Sequence, residues 1–251
     1  AVEAHEGIRV FRSSTCNAWF SDHYLPILQS KRLVKLRAKR TILATGASEQ
    51  HVVFRNNDLP GVVLCSALDR LTRLYGVIPE APIVVLAGND HAYRTAFSSQ
   101  DGGASVGGII DLRETPDDRE LLAQAMQRNI TVYSHAAVFE ARSDALGHAL
   151  SEVDVHKLDA TSDVGKLATI RCGVLAMSAG FMPAYQLACQ AGASLSYDDD
   201  TAQFQLSNLP KGLHLAGSVN GVFALASVEA SGRNAARQAM RALDLPAQAE
   251  I

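Results

Sequence analysis

Few side chains in this sequence are arranged to do chemistry on their own. Ser178 lies in Ala176-Met177-Ser178-Ala179-Gly180, just after an apolar run, and approximates the GxSxG turn that exposes a nucleophilic serine for acyl transfer. The first glycine is missing, Phe181-Met182-Pro183 is a poor opening for the helix such a turn requires, and His214 is the only base easily nominated downstream. Serine hydrolysis therefore stands only as an alternative. Asp198-Asp199-Asp200 offers three carboxylates, but contiguous side chains point in different directions and lack the alternating spacing of a calcium loop, so a solvated turn is expected. The eight histidines show no HxxxH or HExxH spacing, and Cys16, Cys65, Cys172 and Cys189 form no CxxC. No metal site, redox dithiol or catalytic constellation is expected.

Glycine turns after apolar runs are the stronger signal, because backbone amides at such turns can hold a phosphate without a charged side chain. Residues 83–87 (IVVLA) read as a buried strand that turns at Gly88-Asn89-Asp90, followed by a helix from about His91 and a strand over 106–110 that ends in Asp111. Strand, glycine turn, helix and a strand ending in an acid about twenty residues on outline a βαβ dinucleotide unit. The remaining elements frame it. Residues 7–11 and 33–39 are β-prone and fit an antiparallel meander, and residues 40–44 form a buried-type strand that stops at Thr45-Gly46-Ala47. Asn56-Asn57-Asp58-Leu59-Pro60-Gly61 is turn chemistry, and residues 62–75 carry helical spacing up to a C-cap at Gly76. A helix is expected over 121–128, strands over 130–133 and 137–141, and a hairpin region over 144–165. Strands at 173–177 and 213–216, the turn 217–221 and a helix over about 223–243 complete the reading.

The 251 residues suffice for one large domain or two modest ones, and with 47% hydrophobic and 20% charged residues disorder is a poor description. The formal charge of −3 is spread along the chain, which argues against a nucleic-acid face or polybasic membrane segment. No apolar run approaches the roughly 18 residues of a membrane span. A soluble, cytoplasmic protein whose partners are small molecules or other subunits is expected. The sequence begins Ala1-Val2-Glu3, as a processed or truncated polypeptide would.

Three blocks in order decide the family: Arg40-Thr41-Ile42-Leu43-Ala44-Thr45-Gly46-Ala47 with Asn56-Asn57-Asp58-Leu59-Pro60-Gly61, then Gly88-Asn89-Asp90-His91-Ala92-Tyr93, then Leu213-His214-Leu215-Ala216-Gly217-Ser218-Val219-Asn220-Gly221. With Val174-Leu175-Ala176-Met177-Ser178-Ala179-Gly180-Phe181-Met182-Pro183, the set resembles the alpha subunit of heterotetrameric sarcosine oxidase. The resemblance implies an α/β fold of two Rossmann-like, flavin-reductase-like dinucleotide domains, the second inserted into the first. Residues 1–76 and 172–251 would form the first, incomplete at its N-terminus, and residues 77–171 the second. It further implies NAD in the intact subunit, FMN at the interface with a beta-like flavoprotein subunit, FAD in that partner, and a small amine as substrate. The chain would then be a dinucleotide-binding scaffold subunit with no catalytic residue of its own. Alternatives are a subunit of an opine oxidase or dye-linked proline dehydrogenase, or a noncatalytic scaffold protein.

Within that resemblance, Ala44, Thr45, Gly46 and Ala47 are expected beside the dinucleotide through backbone groups, and Gly217, Ser218, Asn220 and Gly221 at the entrance to the last helix. Flavin-holding relatives carry an acid directly after the glycine of that strand. Ser218 stands there instead, which argues for a nicotinamide nucleotide over FAD. In the inserted domain only the first glycine of GxGxxG survives, with Asp90 and Tyr93 in the other two places. An anion at Asp90 would repel a pyrophosphate, so no pyridine nucleotide is expected there. The isolated chain is expected to bind nucleotide weakly or not at all and to oxidise no amine.

Overall fold

The computed structural model describes residues 2–158, 165–199 and 203–246. Strands β1 (Ser14–Cys16), β2 (Tyr24–Gln29), β3 (Arg32–Arg37), β4 (Thr41–Leu43), β5 (Ala47–Glu49) and β6 (Val62–Leu64) precede α1 (Cys65–Tyr75). Then come β7 (Ile83–Ala87), α2 (Asp90–Asp101), β8 (Val106–Asp111), α3 (Glu120–Gln127) and β9 (Val132–Ser134). β10 (Ala136–Ser143), β11 (Leu150–Lys157), β12 (Lys166–Arg171), β13 (Val174–Ser178) and β14 (Phe181–Pro183) follow. Last in order are α4 (Gln186–Gln190), β15 (Ser194–Asp198), β16 (Gln203–Ser207), β17 (Leu213–Leu215) and α5 (Leu225–Arg241), with a 3-10 turn over Gly217–Asn220 before α5.

The chain forms two compact units, Ala1–Ser48 with Met182–Ile251, and Glu49–Phe181. The second unit is built on a parallel sheet of order β6-β13-β7-β8-β9. Side chains alternate across it as a strand requires. Ile83, Val85 and Ala87 of β7 pack with Leu68 of α1, Tyr93 and Phe97 of α2, and Leu121 of α3. Val84 and Leu86 pack on the other face with Val138, Val153 and Val155 from the antiparallel sheet β10-β11-β12. Both faces are covered, so β7 is buried at every position and reads as an unbroken apolar run.

This sheet moves the domain boundaries away from the expected 76/77 and 171/172. β13 bonds β6 on one side, Leu175 opposite Val62, and β7 on the other, Val174 opposite Ile83. Residues 62–75 and 174–178 therefore belong with the second unit. The same pairing shortens the expected helix over 62–75, since Val62–Leu64 are drawn into the sheet and α1 starts at Cys65; Gly76 ends it in the left-handed conformation, as expected (φ 66°). Of the hairpin region expected over 144–165, residues 159–164 lie outside the described residues, and within it β11 pairs antiparallel with β10 on one side and β12 on the other.

The first unit holds the antiparallel sheet β1-β2-β3, the hairpin β15-β16 and the parallel pair β4-β17. Trp19, Leu25, Leu43, Ala188, Leu213, Leu215 and Val219 form its core. The expected strand over 7–11 is absent, and β1 lies a few residues later. β2 was not anticipated because Pro26 interrupts it. The proline is tolerated because β1 pairs only as far as Ile27, so at Pro26 the strand has a single neighbour, Lys35 of β3.

Candidate functional site

In the first unit, β4 and β17 run parallel with Leu43 opposite Leu215, and the Ala216 N–H donates to the Leu43 carbonyl at 3.0 Å. The two segments singled out in the sequence, 44–47 and 217–221, thus leave the carboxyl ends of adjacent parallel strands, where open α/β sheets take their ligands. Ala44 and Thr45 are exposed, and Gly46 and Ala47 are half-buried. The first loop is pinned at both sides of its peptide: the Thr45 hydroxyl donates to the Ala184 carbonyl at 2.8 Å, and the Ala184 N–H donates to the Gly46 carbonyl at 2.9 Å. Gly46 has φ +77°, a left-handed conformation that glycine adopts without strain.

Gly217 (φ +72°) turns the chain out of β17 into the 3-10 turn, which Gly221 (φ +71°) closes by donating its N–H to the Ser218 carbonyl at 3.1 Å. The Gly217 N–H is committed to the Ser231 hydroxyl of α5 at 3.1 Å, and Gly217 itself is buried. Its part is therefore to shape the turn, while half-buried Ser218 and exposed Asn220 and Gly221 present the accessible edge. Ser231 is read from sequence only as one of the small residues of the last helix, and its bond to Gly217 was not anticipated. This edge fits a neutral, hydrogen-bonding sugar or amide group, with side-chain oxygens and an amide and no charge. A cavity of about 390 Å³ in the same unit lies against Trp19, Asp22, His23 and Gln190 and includes none of these loop residues.

The glycine turn of the second unit is built differently. A Cβ on Gly88 would come within 2.8 Å of Ala179 Cα and 2.9 Å of its carbonyl oxygen, so this glycine is required by close approach of the strand-end backbone. Asn89 caps α2 by accepting from the His91 N–H at 3.0 Å. Asp90 does not face an open phosphate site. Its Oδ1 accepts from Arg113 Nη1 at 2.9 Å and from the Asp117 N–H at 3.1 Å, and its Oδ2 from the Asp118 N–H at 2.9 Å. Arg113 also grips the fully buried Asp111, Nε to Oδ1 and Nη2 to Oδ2, both at 3.1 Å. The Tyr93 hydroxyl donates to Asp111 Oδ2 at 2.8 Å from a fully buried ring.

Burial raises the Tyr93 phenol, reinforced by its bond to Asp111, so it remains a donor at any accessible pH. Burial opposes the Arg113 charge, but its bonds to Asp111 and Asp90 outweigh that and raise its pKa. Asp111, which would receive a ribose in a working unit, is thus fully engaged by the chain itself. Arg113 is the residue that sequence reasoning missed; its place two residues beyond the strand-end acid was the available signal.

The GxSxG-like turn does not form a nucleophile elbow. Ser178 is fully buried, exchanges a hydrogen bond with the Asn89 side chain, and is followed by strand β14 where the elbow needs a helix. Among the described residues no group of three or more histidine, cysteine, aspartate or glutamate side chains could hold a metal; Asp200 of the acidic triplet lies outside them. Among the described residues no helix is long and apolar enough to cross a membrane.

No family model matches the sequence. Against curated proteins, the chain is 32% identical over 202 residues to the alpha subunit of sarcosine oxidase from Corynebacterium sp. (strain U-96), covering 80% of this chain and 20% of that subunit. To the corresponding subunit from Rhizobium meliloti (strain 1021) it is 30% identical over 223 residues, 89% of this chain and 21% of the relative. The chain is a homologue of sarcosine oxidase alpha subunits. It spans about a fifth of the length of these curated relatives.

Among solved structures, L-proline dehydrogenase from P. horikoshii matches with TM-score 0.67 and 16% identity over 97% of this chain and 43% of that one. Thioredoxin reductase from T. acidophilum matches with TM-score 0.64 and 17% identity over 92% and 72%. At such identities the likeness is one of fold: the chain has the mixed α/β fold, with a parallel sheet, that these two structures share.

Proposed function

We propose that this chain is the dinucleotide-binding part of a flavoprotein oxidoreductase subunit whose complex oxidatively demethylates sarcosine. The single observation that carries the reading is the parallel β4-β17 pair, which delivers residues 44–47 and 217–221 to one edge of the first unit. In it NAD contacts Ala44, Thr45, Gly46 and Ala47 on one side and Ser218, Asn220 and Gly221 on the other, with Gly217 forming the turn. The second unit is a structural domain, since the place of a pyrophosphate is taken by Asp90 and that of a ribose partner is already bonded. The chain supplies no acid, base or nucleophile to the amine; that oxidation belongs to a beta-like subunit carrying FAD, with FMN at the interface, in a cytoplasmic complex. NAD, when bound, offers a hydride acceptor, and this chain's residues only hold and orient it.

NAD titration of the intact subunit that contains this chain tests the reading. Asn220→Ala and Ser218→Ala should each weaken NAD by about tenfold, the worth of one hydrogen bond. Binding that ignores both changes but disappears on substitution of Asp90 would overturn the assignment, as would sarcosine turnover by this chain without any partner.

A further inference from the structure

The donors around Asp90 form a closed set. Arg113 Nη1 and the Asp117 N–H meet on one carboxylate oxygen, and the Asp118 N–H meets the other, at 2.9 to 3.1 Å. These groups come from different places: Arg113 leaves the end of β8, and residues 117 and 118 belong to the following loop. A guanidinium and two backbone amides converging on one tetrahedral or trigonal oxyanion is phosphate-binding chemistry. Asp90 opens α2, and its side chain is only 16% exposed, so the carboxylate is enclosed by its donors. Asp111 is fully buried and held by the other edge of the same guanidinium, which fixes the orientation of Arg113 towards Asp90.

We infer that the second unit contains a phosphate-class oxyanion site, formed by Arg113 and the amides of Asp117 and Asp118, whose resident ligand is the chain's own Asp90. The carboxylate occupies the position of an external phosphate and shuts it out. The sequence change that looked like a lost glycine is an internal ligand gained. The loop 113–118 is held by Asp90 itself, and the native unit is indifferent to phosphate. The charges facing the site agree with this. Arg113 is met by Asp90, Asp111 and exposed Asp117, so a second anion added beside Asp90 would face three carboxylates, whereas one replacing Asp90 would face only the two that Arg113 already holds.

This inference concerns the second unit alone, so NAD binding to the native chain can fail while it stands, and the reverse. Thermal unfolding is measured for the native chain, Asp90→Ser and Asp90→Ser/Arg113→Gln in inorganic phosphate and in chloride at matched ionic strength. Asp90→Ser should be less stable in chloride, and phosphate at about ten times its dissociation constant should raise its midpoint by about 3 °C or more beyond any rise in the native chain. The double variant should lose that gain. Should Asp90→Ser unfold in chloride, recovery of its folded signal in phosphate is the same result, and Asp90→Asn, which keeps one acceptor oxygen, is measured alongside and should gain less. The inference is overturned if neither variant gains more from phosphate than the native chain, or if the gain survives the loss of Arg113.

Discussion

Replacing Tyr93 with Phe removes one oxygen from the interior of the second unit and leaves the packing of the ring in place. The ring is fully buried in the helix-side core, and the lost hydroxyl is a donor to Asp111 Oδ2 at 2.8 Å. A hydrogen bond to an ionised group contributes about 1.5 to 3 kcal/mol. Asp111 keeps its contacts to Arg113, including one to the same oxygen, so the lower end of that range applies. About 1.5 to 2 kcal/mol corresponds to a fall of about 3 to 8 °C in the unfolding midpoint of a domain of this size. Calorimetry and urea unfolding of the purified chain measure it, and an unchanged urea slope would show that the native state alone was affected. A variant within about 0.5 kcal/mol of the parent would refute the reasoning, because it would mean Arg113 satisfies Asp111 unaided and the phenol serves only as apolar bulk. Tyr93→Gly sharpens the contrast. It restores the third glycine of the dinucleotide motif, yet it should cost about 3 to 5 kcal/mol by emptying the space of a large aromatic ring.

Two further outcomes follow from the titratable groups. Asp154 is nearly fully buried; that burial opposes its charge, but bonds from Lys166 and Thr169 and the charge of Arg142 prevail and hold its carboxyl below the usual value of 3.8. A carboxyl depressed in the folded state stabilises above its unfolded pKa and loses that contribution as pH falls through the folded value. Stability should therefore drop below about pH 4, and Asp154→Asn should flatten that part of the profile in pH-dependent urea unfolding. Cys172 is pushed up to about 12 by burial and by Glu152, and Cys65 well above 9.0 by burial and by Glu49. In the native chain at pH 8, a thiol reagent should label the half-buried Cys16 and Cys189 first, with Cys65 and Cys172 reacting only on unfolding; rapid labelling of either buried thiol, mapped by peptide mass spectrometry, would contradict the packing.

What the sequence made legible was set by how locally each signal is written. β7 is apolar at every position because both faces of its sheet are covered, and the acid ending β8 and the left-handed Gly76 could likewise be read from their immediate neighbours. β6 could not. Val62–Leu64 continues the helical spacing of α1, and only its pairing with β13, more than a hundred residues away, makes it a strand. The domain boundaries shifted for the same reason. β2 was hidden by Pro26, whose acceptability depends on where β1 stops. The bond from Gly217 to Ser231, which reserves that amide and leaves Ser218 and Asn220 as the accessible edge of the turn, could not be read from the glycines that marked the two loops. The glycine-poor loop at Asp90 was read as repelling an anion; that it binds one of its own required the position of Arg113.

The placement of β13 between β6 and β7 also constrains the order in which the protein can acquire structure during synthesis. β13 is the last strand of that sheet to leave the ribosome, yet it is an interior one. β6 and α1 emerge early with no strand to join, and β7, β8 and β9 emerge as a half-sheet whose β7 edge is unpaired until residue 178 is made. For most of that interval the second unit presents an apolar strand with open hydrogen-bonding groups, the kind of edge that recruits chaperones or stray strands. The first unit waits longer still, because β4 finds its parallel partner β17 only after the whole second unit has been translated. Nascent-chain proteolysis should accordingly show protection of the second unit arriving in one step, soon after β13 clears the exit tunnel.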